Sequence, residues 1–194
     1  MRDHRPGAGF TLVELLVCLA IVAILAAMLF PVLAQAHARG RSGVCQANLH
    51  HLGLAVLEYC SDNDNRLPPT FYVVGYPGPN PRAFYIMKIL GPYYVENKVS
   101  HCPGEPPGSN WGYGVNPIVR HWMIEELADP CRTIVMADNS GQPTHVGPPT
   151  GPVLTVDNPA ERHLGMANFW FADGHLKAMK AWATVQPDYL WDRF

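Results

Sequence analysis

Four side chains in the last third of the chain, Asp138, His163, Asp173 and His175, are of the types that hold a divalent metal. Two imidazoles with one or two carboxylates form the donor mixture that zinc or manganese accepts. The same residues have a structural use, in which His163 hydrogen-bonds across a sheet to a carboxylate at a strand end and Asp173-Gly174 builds a turn. The structural use is favoured, so no metal is expected; if one binds, these four are the candidates. Upstream, Asp62-Asn63-Asp64-Asn65 resembles the opening of a calcium loop with alternating oxygen ligands. Leu67 stands where that loop needs glycine, and Val73 where it needs its last acid, so a solvated turn is favoured over calcium. No G-x-S-x-G, H-E-x-x-H or P-loop pattern is present. His101 beside Cys102 is a poor catalytic pair, because adjacent side chains rarely face each other. No enzymatic activity is expected.

Five cysteines add a second kind of chemistry. Cys18 lies in an apolar run and is expected to be inert. Cys45, Cys60, Cys102 and Cys131 make an even set that suits an oxidising compartment and two disulfides. If Cys45 and Cys60 share a helix, they stand about 22 Å apart, far beyond the roughly 7 Å limit for a bridge. Each must then pair with Cys102 or Cys131. Two connectivities stay open, and Cys45–Cys102 with Cys60–Cys131 is our working choice.

These residues must be positioned by the elements around them, and residues 9–34 (GFTLVELLVCLAIVAILAAMLFPVLA) dominate. The run exceeds the roughly 20 apolar residues needed to cross a bilayer and has no polar face. Its one charge, Glu14, costs at least about 2.5 kcal/mol near the membrane interior unless it has a partner or a task. Pro31 removes one helical hydrogen bond late in the span. Arg2 and Arg5 precede the run and Arg39 and Arg41 follow it, so charge alone does not orient it. An ordinary secretory signal is the competing reading, since Ala34-Gln35-Ala36 and Ala36-His37-Ala38 fit small-x-small cleavage. Such a signal has an apolar core of about 7–15 residues without a carboxylate, and this run fails on both counts.

Gly9-Phe10-Thr11-Leu12-Val13-Glu14, the basic leader before it and the late Pro31 together resemble the prepilin cleavage and methylation segment of type IV pilins and type II secretion pseudopilins. The resemblance implies cleavage by prepilin peptidase between Gly9 and Phe10 and N-methylation of Phe10. It also implies that Glu14 pairs with the methylated amine of a neighbouring subunit. A paired charge is tolerated in lipid where a single one is not. Cys45, Asn48-Leu49, Gly53, Tyr59, the acidic turn and Pro68 resemble one pilin-like subgroup. So does His163, followed nine residues later by Asp173-Gly174. The partners implied are prepilin peptidase, other pilin or pseudopilin subunits, an inner-membrane assembly platform and membrane lipid. The implied location is the bacterial inner membrane, with the amino terminus cytoplasmic and the head outside, and then a periplasmic or cell-surface filament.

The expected organisation is a leader at 1–9, a membrane and filament-core helix at 10–34, an amphipathic continuation at 35–61 and a head at 62–194. The fold class is α+β and pilin-like, a long amino-terminal membrane-spanning helix packed on a small antiparallel-sheet head. Leu49, Leu52, Val56 and Tyr59 recur at helical spacing and form the face on which the head packs. Strands are expected at 71–76, 93–95, 133–137 and 153–156, with short helices at 82–90 and 121–127. A hairpin is expected at 166–179, turning on Asp173-Gly174 with both residues at positive φ. Trp182 and the residues after it form an aromatic tail. Net charge is −2 and no basic patch carries interleaved aromatics, so no nucleic-acid partner is expected. The competing function is a membrane-tethered metal-binding or hydrolytic domain that uses the pilin segment only for export.

Overall fold

The computed structural model describes residues 11–69, 71–74, 82–94, 99, 101–105, 112–119, 121–139, 159–185 and 190–191. Gly9, Phe10 and the strand expected at 153–156 lie outside them. The chain divides into two units, Met1–His37 and Ala38–Phe194. A single helix, α1, runs from Leu12 to Asp62 straight through Pro31. In the first unit its large apolar side chains, among them Leu12, Leu16, Leu25 and Phe30, point outward on every side.

Within the second unit the same helix is amphipathic. Cys45, Leu49, Leu52, Gly53, Val56 and Cys60 are buried, at intervals of three, four and one residues that keep them on one face. Tyr59 lies at the edge of that face and packs edge-on against Tyr93. The helix ends one residue beyond the expected Ser61. Asp64 and Asn65 take left-handed φ values of 52° and 56°, and the N–H groups of Asn63 and Asn65 both donate to the Cys60 carbonyl. Asn63 Nδ2 adds a bond to the Tyr59 carbonyl, 2.8 Å away. Asp62 and Asp64 stay exposed, so the calcium-like stretch is a helix-ending turn.

Two antiparallel sheets occur among the described residues. β1 (Phe71–Val74) pairs with β2 (Arg82–Tyr85). β3 (Tyr113–Val115), β4 (Ile134–Asp138), β5 (Ala167–Phe171) and β6 (Leu176–Met179) form the second sheet in chain order. The helix expected over 82–90 is therefore half strand, with only Ile86–Ile89 helical. Of the strand expected at 93–95, Tyr93 instead ends a 3-10 turn over Gly91–Tyr93, where Pro92 suits a helical start better than a ladder, and Val95 lies outside the described residues.

β4 and β5 are buried on both faces and divide their side chains between two cores. β5 alternates residue by residue, whereas an irregularity in β4 between Ile134 and Met136 puts the adjacent Val135 and Met136 on the same side. Val135, Met136 and Trp170 join Leu49, Leu52 and Val56 of α1. Ile134, Ala137, Phe169 and Phe171 join Trp191. Of the expected aromatic tail, Trp191 thus covers the sheet face opposite the helix, while Trp182 is exposed. Trp191 donates to Thr184 Oγ1 at 2.7 Å, meets Phe169 edge-on, and has its carbonyl bound by Asn116 Nδ2.

At Gly53 the sheet packs directly on α1. A Cβ built there would lie 2.2 Å from Trp170 Nε1, so the indole rests directly on the helix backbone. Gly53→Ala is expected to force one of them away, at a cost of about 1–3 kcal/mol. Thermal unfolding of the detergent-solubilised chain, followed by near-ultraviolet circular dichroism, checks this. An unchanged midpoint would mean that the joint is loose.

Candidate functional site

The β5–β6 hairpin forms, but its turn differs from the expected two-residue type. Ala172, Asp173 and Gly174 make a three-residue loop, closed by Gly174 N–H to the Phe171 carbonyl, and Gly174 alone takes positive φ, at 94°. This is the three-residue solution, a turn followed by a left-handed glycine. Asp173 Oδ1 instead accepts from the His175 N–H at 3.1 Å and lies 2.6 Å from its Nδ1. The His175 ring stacks on Phe171.

A two-residue turn with both φ values positive between paired residues lies elsewhere. Leu164 and Gly165, at 55° and 78°, join His163 to Met166, whose backbone groups exchange two hydrogen bonds. That turn delivers His163, buried, to the start of β5. There His163 Nε2 is 3.3 Å from Asp138 Oδ2 at the end of β4. Asp138 Oδ2 also accepts from the Asn168 backbone at 2.7 Å and from Asn168 Nδ2 at 2.9 Å, while Asn168 Oδ1 accepts from Gln46 of α1. The four suggested metal ligands therefore separate into two pairs. Asp138–His163 sits at one end of β5 and Asp173–His175 at the other, about 16 Å away at 3.3 Å per residue. The structure does not bring the four together at one place.

The bridge Cys45–Cys102 joins α1 to the 101–105 loop, with Cα atoms 5.1 Å apart. The other half of the working pairing does not form: Cys60 and Cys131 are free thiols. Cys60 is enclosed in the helix–sheet core, where burial pushes its thiol from 9.0 to about 11. Cys131 is exposed, and its thiol is raised by a hydrogen bond to Asp173 and by that carboxylate's charge.

His163 Nε2 also lies 3.3 Å from Cys102 Sγ. An Asp–His–Cys group built for nucleophilic attack needs one ring nitrogen for the acid and the other for the thiol. Here both approach the same nitrogen, and the sulfur is in a disulfide. Around them Arg162 pairs with Glu105 at 3.0 Å and donates to the Asn139 carbonyl. Tyr113 donates to the Cys45 carbonyl at 3.2 Å. Burial pushes the Tyr113 hydroxyl well up, and the Asp138 charge adds to that. Asn168, Gln46, Glu105 and Arg162 escaped the sequence reading. Asn168 had a signal, being a lone amide inside the apolar run MANFWFA.

A second site lies at the other end of the chain. Glu14 Oε2 accepts from the Thr11 N–H at 2.9 Å and from its hydroxyl at 2.7 Å, and Thr11 Oγ1 accepts the Glu14 N–H. This is a capping box, so the carboxylate is bonded within its own helix. The helix it opens is long and apolar enough to cross a membrane.

Residues 5–30 match the family model for the prokaryotic N-terminal methylation motif. With the long apolar helix and the small antiparallel sheet, the match marks a type IV pilin-like or pseudopilin-like chain, a membrane-anchored single-pass protein of the class that prepilin peptidase processes and that associates with other pilin subunits. No curated protein and no solved structure matches the chain.

Two outcomes follow. The bridge closes a loop of 57 residues, and loop entropy of that size corresponds to about 4 kcal/mol. Cys45→Ala/Cys102→Ala should lose about that much in urea unfolding. At the hairpin, desolvation works against ionising Asp173. The N–H and ring of His175, with the Cys131 thiol, outweigh it and hold the carboxyl below its ordinary 3.8. Asp173 therefore contributes stability that is complete above 3.8 and is lost as pH falls through its lower folded value. The gap in melting temperature between wild type and Asp173→Asn should close between about pH 5 and pH 2. A gap that persists at the lowest pH would contradict this assignment.

Proposed function

We propose that this chain is a structural subunit of a type II secretion pseudopilus or a type IV pilus-like filament, and not an enzyme. In this reading prepilin peptidase cuts between Gly9 and Phe10 and methylates the new amine. The subunit is then drawn from the membrane by an inner-membrane assembly platform. Packing of residues 10–34 between subunits builds the filament core. The head stays outside the membrane, where it meets other subunits or cargo.

The observation that carries the reading is the conjunction of the methylation motif with a helix whose apolar side chains face outward all round. Such a surface is stable only in lipid or against other apolar helices. The Thr11–Glu14 capping box supports the next step. It bonds the carboxylate while the subunit is alone, and Glu14 can exchange those donors for a neighbour's ammonium group. The chemistry of maturation then belongs to the peptidase, with this chain as its substrate.

The test is the amino-terminal residue and the mass of the protein isolated from membranes. N-methylated Phe10 is the expected start. A chain beginning at His37 or Arg39 would mean ordinary secretory cleavage and would remove the filament reading.

A further inference from the structure

The donors that folding gathers are not the set that the sequence suggested. Cys45 Sγ, Cys102 Sγ and a ring nitrogen of His163 lie within 4.8 Å of one another, and all three residues are buried. Asp138 Oδ2 is 3.3 Å from the same Nε2 that approaches Cys102 Sγ. Two sulfurs, an imidazole and a carboxylate are a donor set that zinc takes in four-coordinate sites. In a tetrahedron with Zn–S about 2.3 Å and Zn–N or Zn–O about 2.0 Å, neighbouring donors lie about 3.3–3.8 Å apart. The two 3.3 Å separations already approach those edges. Only the sulfurs must part.

The frame around these donors does not rest on the disulfide alone. Tyr113 holds the Cys45 carbonyl and Asn48 Nδ2 holds that of His101, at 3.2 and 3.0 Å. Asn168 orients Asp138, and Gln46 orients Asn168, the outer layer of bonds that metal-binding carboxylates require. The other oxygen, Asp138 Oδ1, is buried without a hydrogen-bond partner, an acceptor that a cation would satisfy. Gly104 packs against the imidazole so closely that a Cβ there would lie 3.2 Å from His163 Cε1.

We propose that Cys45, Cys102, His163 and Asp138 form a zinc site when the Cys45–Cys102 bridge is reduced, so that one position in the head is closed by either a disulfide or a metal ion. An external dithiol supplies the two electrons and two protons that convert the disulfide to two thiols, and is itself oxidised to a disulfide. Binding of Zn2+ releases one proton from each thiol. His163 ligates through Nε2 with its proton on Nδ1, and Asp138 ligates as the carboxylate. The proposal is independent of the filament reading.

The experiment uses the full-length chain in detergent, with Cys18, Cys60 and Cys131 replaced by alanine so that only this pair remains. The protein is reduced anaerobically and titrated with Zn2+ or Co2+. The reduced protein is expected to retain one equivalent of zinc through gel filtration and the oxidised protein none. Cobalt should give thiolate charge-transfer and tetrahedral d–d absorption. His163→Ala and Asp138→Asn should each weaken zinc binding by about 10–100-fold. Should His163→Ala not fold, His163→Gln takes its place, with circular dichroism of the oxidised form as the control. If reduction alone unfolds the chain, zinc should restore the native spectrum. A reduced chain that retains no zinc, a spectrum that zinc fails to restore, or full affinity in both ligand variants would overturn the proposal.

Discussion

The contact between Trp170 and the backbone at Gly53 is the constraint on which the head depends. An indole laid directly on a helix requires the absence of a side chain at that one position. It sets the spacing at which Leu49, Leu52 and Val56 meet Val135 and Met136. Gly53 is therefore more than a weak helix former, because the helix propensity given up there is exchanged for close packing. The opposite face of the sheet is closed by Trp191, so the two central strands are buried on both sides.

That packing also assembles the buried polar cluster. Asn168 is on the same strand as Trp170 and two residues away, so it shares the face that meets α1. It reaches Gln46 on one side and Asp138 on the other, which places His163 and the Cys45–Cys102 bridge together. Buried polar groups are costly unless partnered, and partnered ones define a particular register. Here they lock the end of β4, the start of β5, the 101–105 loop and the helix into one arrangement.

The amino-terminal part obeys a different rule. The side chains of its apolar span face outward all round, and the one carboxylate within that span, Glu14, is bonded to Thr11 at the helix start. One continuous helix thus carries two patterns: uniformly apolar where it needs lipid or other helices, and amphipathic where it carries the head.

The sequence by itself determined the apolar span, the methylation motif, the buried face of α1 through Leu49, Leu52 and Val56, and the β5–β6 hairpin. Each is written in local periodicity or in a contiguous motif, which needs no knowledge of distant residues. The exclusion of a Cys45–Cys60 bridge was equally local, since helical rise fixes that separation. Only the tertiary structure decided which histidine meets which carboxylate, that Cys60 is enclosed while Cys131 is exposed, and that the two-residue turn is at Leu164-Gly165 instead of Asp173-Gly174. Those outcomes rest on strand order and register across separations of tens of residues. Side-chain type says what chemistry is possible, but the fold brings Asp138 and His163 together and places Asp173 and His175 at the other end of a five-residue strand.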